Sequence, residues 1–340
     1  MDLIIDNIIE IINKKGIKVV TISEPNHRSY TSHTFNFELM KCILQRTDIN
    51  VFSSEKLGVF DAMMINYYMK NRLPLPEGIE KIHEFSGLGT KRWINYLKRC
   101  RSERYHFLGG EFNPYKPHLY NREALREWFS DQFISSLMDP EHGGGEIQVV
   151  TENDRLARDS FQCMNDFYKN RESFWKLNIE RILKEHDNLF IVGFHLERGE
   201  PIGNMIKKMY PKESLFLGCC ALYIETQLLI VDDKYSTPDK FNHALETRNY
   251  EEIVEPIDKW APPTPFEEKM EKKSVGNNGW SMVKVRSNMT GKIRGIGCFI
   301  AMNRHEYESG KKMTDIFTPV KSFDYIIYMR ESVYEENMFI

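Results

Sequence analysis

Two short β-branched runs, each followed by a stretch of helical periodicity, constrain this chain more than any other feature. Ile17-Lys18-Val19-Val20-Thr21-Ile22 is suited to a buried strand, and Asn50-Val51-Phe52-Ser53 is a second run of the same kind. Ahead of the first, residues 3–13 repeat their apolar side chains at helical spacing and Gly16 supplies the stop. Between the runs Phe35, Leu39, Cys42 and Ile43 recur with that period, and residues 59–69 follow the second run as another helix. A strand-helix-strand-helix order implies a parallel sheet. The expected fold class is therefore α/β, a mainly parallel central sheet with flanking helices. Ligands of such sheets sit beyond the carboxyl ends of the strands, so the loops after Ile22 and Ser53 are the first places to look for a site.

The middle of the chain reads as helical over 79–98, 122–137 and 155–184, with a further strand near 105–110. Strands are expected again at 189–193, 215–218, 221–231, 299–302 and 323–329, and a helix at 202–209. This order suggests one α/β domain over 1–340 carrying a predominantly helical insertion around 70–187, itself interrupted by the strand near 105–110, rather than two domains in tandem. Ala261-Pro262-Pro263-Thr264-Pro265 reads as a surface connection. The charge run Glu267-Glu268-Lys269-Met270-Glu271-Lys272-Lys273 reads as a solvated helix face.

Charge and cysteine usage narrow the partners. Among 340 residues Lys+Arg number 46 and Asp+Glu 49, a net charge of −3, which gives no global attraction to nucleic acid or to an anionic membrane. No window approaches the roughly 18 apolar residues of a membrane span, so the expected partner is a small molecule. Asp6 and Glu10 interrupt the apolar N-terminus, unlike a signal peptide. The six cysteines have no CxxC spacing, which suits a reduced, cytoplasmic setting. There is no G-x-S-x-G elbow, no H-E-x-x-H pair and no clustered Cys/His set. Gly143-Gly144-Gly145 and Thr290-Gly291-Lys292 read as loops, and no cofactor is expected.

The chemistry-bearing constellation is Ser23-Glu24-Pro25-Asn26-His27 followed by Ser53-Ser54-Glu55. Each strand delivers an ionisable group just past its end, and neighbouring strands lie about 5 Å apart, so these groups can converge. A histidine flanked by carboxylates is held in one tautomer and made basic enough to take a proton from water. A third strand end supplies Gly193-Phe194-His195, with Glu197 and Arg198 beside it. One imidazole as base, a second imidazole or an arginine polarising a carbonyl, and carboxylates as orienters suffice for metal-free ester hydrolysis.

The segment from Val19 to His27, an apolar strand running into Ser23-Glu24-Pro25-Asn26-His27, resembles the signature of the erythromycin esterase family, in which such a strand runs into G-E-x-x-H. The placement of Glu55 fits that family's next carboxylate. Arg158-Asp159 with Met164-Asn165 is similar to its R-D-x-x-M-x-x-N helix. Ile191-Val192-Gly193-Phe194-His195, Ile202-Gly203, Phe216-Leu217-Gly218 and the closing Phe323-Asp324 strand match further segments in order. The resemblance implies a hydrolase with a cleft above the sheet, His27 as general base on water, Glu24 and Glu55 as orienting carboxylates and His195 as a second polar catalyst. Ser23 stands where relatives carry glycine, Gly193-Phe194-His195 is shorter than the usual H-N-x-H, and Asn36 occupies a place where relatives usually carry a basic residue. Arg28, His33 and Asn36 are the candidate substrate contacts. Two other readings stand beside esterase: a non-catalytic small-molecule or haem-like binder on the same scaffold, and a metal-dependent peptide hydrolase with Glu24, His27 and His195 as ligands. Glu24 could also simply brace its loop, Glu55 could pair with Arg28 or Lys56, and His195 could be structural.

Overall fold

The computed structural model describes residues 1–25, 29–71, 106–111, 121–138, 147–162, 167–193, 196–235, 237–275, 278–295, 299–310, 313 and 317–333. Helix α1 (Asp2–Lys15) buries Ile4, Ile5, Ile8, Ile9 and Ile12 along one stripe. It ends where Gly16 enters the left-handed region at φ 60°, a conformation that favours glycine. Then come β1 (Val19–Ser23), α2 (Tyr30–Arg46), β2 (Val51–Gly58), α3 (Val59–Lys70) and β3 (His106–Glu111). The helices α4 (Arg122–Arg126), α5 (Asp131–Met138), α6 (Glu152–Gln162) and α7 (Phe167–His186) lead to β4 (Leu189–Gly193), α8 (Pro201–Met209) and β5 (Ser214–Val231). The remainder comprises α9 (Pro238–Glu246), β6 (Tyr250–Pro256), α10 (Pro265–Ser274), β7 (Trp280–Lys284), β8 (Lys292–Arg294), β9 (Phe299–Asn303), α11 (Arg304–Ser309), β10 (Phe317–Pro319) and β11 (Tyr325–Ser332).

The main sheet has the order β3-β2-β4-β1-β5-β11-β7. Along this path all neighbours run parallel except β7, which is antiparallel to β11; off it, β6 runs antiparallel and β9 parallel to β5. The α/β class with a mainly parallel sheet is thus as expected, with one difference of consequence: β1 and β2 are not neighbours, because β4 lies between them. Side chains alternate across the sheet. Val20, Ile22, Phe52, Phe190, Val192 and Leu217 join α1, α2 and α3 in one core, while Val19, Val51, Leu189, Ile191 and Phe216 pack against Trp175, Ile179 and Ile182 of α7 and Ile202 and Ile206 of α8. Burial on both faces explains the nearly unbroken apolar runs. Each such side chain contributes roughly 1.5–3 kcal/mol by leaving water.

Strand β5 replaces the two strands expected at 215–218 and 221–231: it is one strand of 18 residues. Its first half pairs with β1 and β11, and its second half with β6 and β9. The residues it gives to the α2 core change from Leu215, Leu217, Cys219 and Ala221 to Ile224, Leu228 and Ile230, so the strand changes face near Leu222. There the fully buried Arg294 guanidinium donates to the carbonyls of Ala221 (3.0 Å) and Leu222 (2.6 Å). Arg294 also pairs with Glu267 (2.9 Å) and Asp258 (2.9 Å). Glu267 is completely buried and closes a capping box with Thr264, so this part of the charge run is core and not a solvated face. In the proline-rich connection Ala261 and Thr264 are buried while Pro262 and Pro265 are exposed.

The helix expected over 122–137 is two helices, α4 and α5. Ser130 breaks it, accepting from the N–H of Phe133 (3.1 Å) while its own N–H (3.0 Å) and hydroxyl (2.7 Å) donate to Asp154. Trp128 lies against the Arg181 guanidinium at 3.9 Å, and Trp175 is buried, so both serve packing. The expected helix over 79–98, the loops at 113–117 and 141–145, and Cys100, Cys163 and Cys298 lie outside the described residues. Cys42, Cys219 and Cys220 are free thiols. Among the described residues no helix is long and apolar enough to cross a membrane.

Candidate functional site

Strand register sets the geometry. Ser23, the last residue of β1, lies opposite Gly193, the last residue of β4, and on its other side opposite Gly218 of β5. Ser54 of β2 lies opposite Val192, one residue short of that level. The carboxyl end of β1, the carboxyl end of β4 and the middle of β2 therefore meet at one height. Glu55 does not lie beyond its strand as expected: β2 continues to Gly58, and its pairing with β3 slips between Ser54 and Gly58. With β4 interposed, β1 and β2 are about 10 Å apart, twice the strand spacing. The side chain of Glu55 lies outside the described residues.

Glu24 follows β1 directly and is only 7% exposed. Its carboxylate accepts a hydrogen bond of 2.6 Å from the side-chain amide of Asn36, which is 3% exposed. Asn36 sits on α2 one turn beyond Ser32 and His33, at the spacings that place three side chains on one helix face. His33 is 8% exposed and Ser32 is buried, so the first half of this buried face is polar, whereas Leu39, Met40 and Ile43 make its second half apolar. The helix entry is fixed by Ser29, whose hydroxyl accepts from the N–H of Ser32 (3.2 Å), and by the Tyr30 N–H, which donates to the Val333 carbonyl (3.1 Å). Asn36, expected to contact substrate, is thus engaged by Glu24. Glu24 in turn braces α2 against the strand end.

Cys219 stands in β5 immediately after Gly218, the partner of Ser23. Burial, and secondarily the Glu24 carboxylate, push its thiol well above the usual range. It is therefore a neutral wall of the site. Sequence patterning singled out Glu24 but not this thiol, because their nearness depends on register between two strands far apart in the chain.

His27 and Arg28, and His195, lie outside the described residues. The chain around each is defined. Pro25 and Ser29 are buried on either side of 26–28, and Gly193 and Leu196 on either side of 194–195. Beyond Leu196 the loop is pinned to the last strand. Arg198 donates its N–H to the Ser322 carbonyl (3.1 Å), its side chain pairs with Asp324, and its guanidinium lies 4.9 Å from the Phe216 ring centre. The Phe323-Asp324 pair is thereby a structural anchor. Two glycines of the recognised segments have equally physical reasons: a Cβ on Gly203 would lie 2.1 Å from the Glu197 carbonyl oxygen, and one on Gly218 2.8 Å from the Phe323 ring. Among the described residues no group of three or more His, Cys, Asp or Glu side chains could hold a metal ion.

No family profile matches this sequence, and no curated protein matches it. Solved structures do. A succinoglycan biosynthesis protein superposes with a TM-score of 0.56 at 11% identity, over 95% of this chain and 90% of its own. A protein of Bacillus cereus gives 0.58 at 12% identity, over 98% and 94%. A mutant of the erythromycin esterase EreC in its open conformation gives 0.57 at 12% identity, over 98% and 95%. Likeness at this identity establishes a common fold across nearly the whole chain.

Proposed function

From a chain that has the fold of an erythromycin esterase, we propose a hydrolase that cleaves an ester or lactone bond of a small molecule. The supporting observation is the Glu24 carboxylate, buried at the end of β1 and held at 2.6 Å by Asn36, at the height where β4 ends and β2 passes. Strand ends of this kind are where parallel sheets carry their sites, and a carboxylate fixed there can orient a neighbouring imidazole.

In this reading His27 takes a proton from water as the water oxygen attacks the carbonyl carbon. The carbonyl electrons move onto oxygen, where His195 stabilises the developing charge. When the carbonyl re-forms, the alcohol oxygen leaves and receives the proton from His27, giving one acid and one alcohol. Glu24 and Glu55 hold the base in orientation, and no metal is assigned a part. Arg28 and His33 are assigned to substrate contact in this reading. The same reading places the protein in the cytoplasm with an uncharged or mixed-character substrate.

The test is a panel of aryl esters and lactones assayed with purified wild-type protein and His27→Ala. General-base participation is worth about 10²–10⁴ in rate, so the variant is expected to lose at least about a hundredfold. Equal rates in the two proteins would refute the proposal.

A further inference from the structure

The Asn36 side chain carries more than the Glu24 contact explains. A carboxylate only accepts hydrogen bonds, so the amide turns its NH₂ toward Glu24 and its oxygen away. That oxygen is buried and has no hydrogen-bond partner among the described residues. One turn earlier on the same face, the buried hydroxyl of Ser32 meets only the Met329 sulfur, at 3.5 Å, among the described residues. A thioether is a weak acceptor and leaves the oxygen's lone pairs unused. Two positions one turn apart on α2, beside the proposed orienting carboxylate, thus offer acceptor capacity that no described residue uses: Asn36 Oδ1 has no partner, and Ser32 Oγ only donates, to the Met329 sulfur. Buried polar atoms are ordinarily paired, and those that are not call for a ligand, a water or a strained site.

Other buried hydroxyls without a partner among the described residues include those of Ser53, Thr226 and Ser332, which belong to strands and are completely enclosed. Asn36 differs in its surroundings. It adjoins Glu24, and with Glu24 and His33 it keeps a small exposed margin.

We propose that Asn36 Oδ1, with Ser32 Oγ as an alternative acceptor, forms a subsite for the one hydrogen bond that a neutral hydroxyl of the substrate, next to its scissile carbonyl, can donate. The proposal deepens the hydrolase reading by naming a substrate class, the hydroxy-substituted ester or lactone. It makes Asn36 bifunctional, positioning Glu24 through its nitrogen and selecting substrate through its oxygen. A site built to pair a substrate hydroxyl discriminates against the analogue that lacks it, because its own buried atoms then stay unpaired.

The experiment compares α-hydroxy-γ-butyrolactone with γ-butyrolactone, which differ by one hydroxyl, in wild type, Asn36→Leu and Ser32→Ala. Wild type is expected to favour the hydroxylated ring in kcat/KM by at least tenfold. Ser32→Ala, which leaves the Glu24–Asn36 bond in place and suits a helix, is expected to reduce that ratio several-fold. Asn36→Leu is expected to abolish it and to slow both reactions. A ratio equal in all three proteins would overturn the subsite while leaving the hydrolase reading intact. In parallel, the Asn36 side-chain amide signals are followed by NMR during addition of 3-hydroxytetrahydrofuran or tetrahydrofuran, neither of which can be hydrolysed. Shifts with the hydroxylated ether alone, even without turnover of either lactone, would support the subsite and count against the hydrolase reading. Identical responses to the two ethers would overturn the subsite.

Discussion

Asp324 grips Phe216 twice: its N–H donates to the Phe216 carbonyl at 2.8 Å, and its carboxylate accepts from the Phe216 N–H at 2.9 Å. The other carboxylate oxygen pairs with Arg198, in the loop that follows β4. One side chain therefore joins the start of β11, the edge of β5 and the loop that carries a candidate catalytic histidine. Both charged groups are about a third exposed, so solvent screens the ion pair, and the half-buried bond from the Phe216 N–H is the larger part. Asp324→Ala is expected to cost about 1–2 kcal/mol in urea unfolding. Asp324→Asn keeps an acceptor for the Phe216 N–H and should cost less. If the two variants were equally destabilised, the ion pair would be the dominant contact instead.

Gly203 tests the close packing of the same loop. Alanine in a helix interior normally gains about 1 kcal/mol over glycine, yet a Cβ here would lie 2.1 Å from the Glu197 carbonyl oxygen, a backbone atom with little freedom to move. The clash should prevail, and Gly203→Ala is expected to lose about 1–3 kcal/mol net. Gly218→Ala, whose obstacle at 2.8 Å is the Phe323 side chain, is expected to be milder. A stabilised Gly203→Ala would contradict the packing described.

The carboxylate of Asp154 gives stability a defined pH dependence. Burial would raise its pKa, but the Ser130 hydroxyl and the N–H groups of Ser130, Thr151 and Val150 outweigh that and hold it below the usual Asp value. A depressed folded pKa means stability that is complete above the unfolded value of about 3.9 and fades as pH falls through the folded one. Asp154→Asn is expected to lose about 2–3 kcal/mol at pH 7. The gap to wild type should shrink in the acid range near pH 3. A gap unchanged between the two conditions in urea titrations would show that the charge of Asp154 plays no part.

These contacts also show what the sequence made legible. β1 and β4 stand out because both of their faces are buried, so Val19-Val20-Thr21-Ile22 and Leu189-Phe190-Ile191-Val192 are apolar but for Thr21. The continuous β5 does not stand out. Its change of face near Leu222 depends on Arg294, 72 residues further on, and a sequence window sees only an interruption. Ser130 breaks a helical period through Asp154, 24 residues away. Glu267 looks like one charge in a solvated run until Arg294 closes on it from 27 residues beyond. At the site, the strand-end position of Glu24 follows from local pattern alone. Its partner Asn36 is legible as a polar residue on a buried helix, but which group it binds is decided by how α2 docks on the sheet.

The central claim is water attack on a carbonyl assisted by His27, and isotope transfer tests it most directly. Hydrolysis of an aryl ester in H₂¹⁸O by wild-type protein should place one ¹⁸O in the acid and none in the phenol, with that labelled product formed at least about a hundredfold more slowly by His27→Ala. Labelled acid appearing equally fast with the variant, or no enzyme-dependent labelling from any ester or lactone tried, would contradict the account.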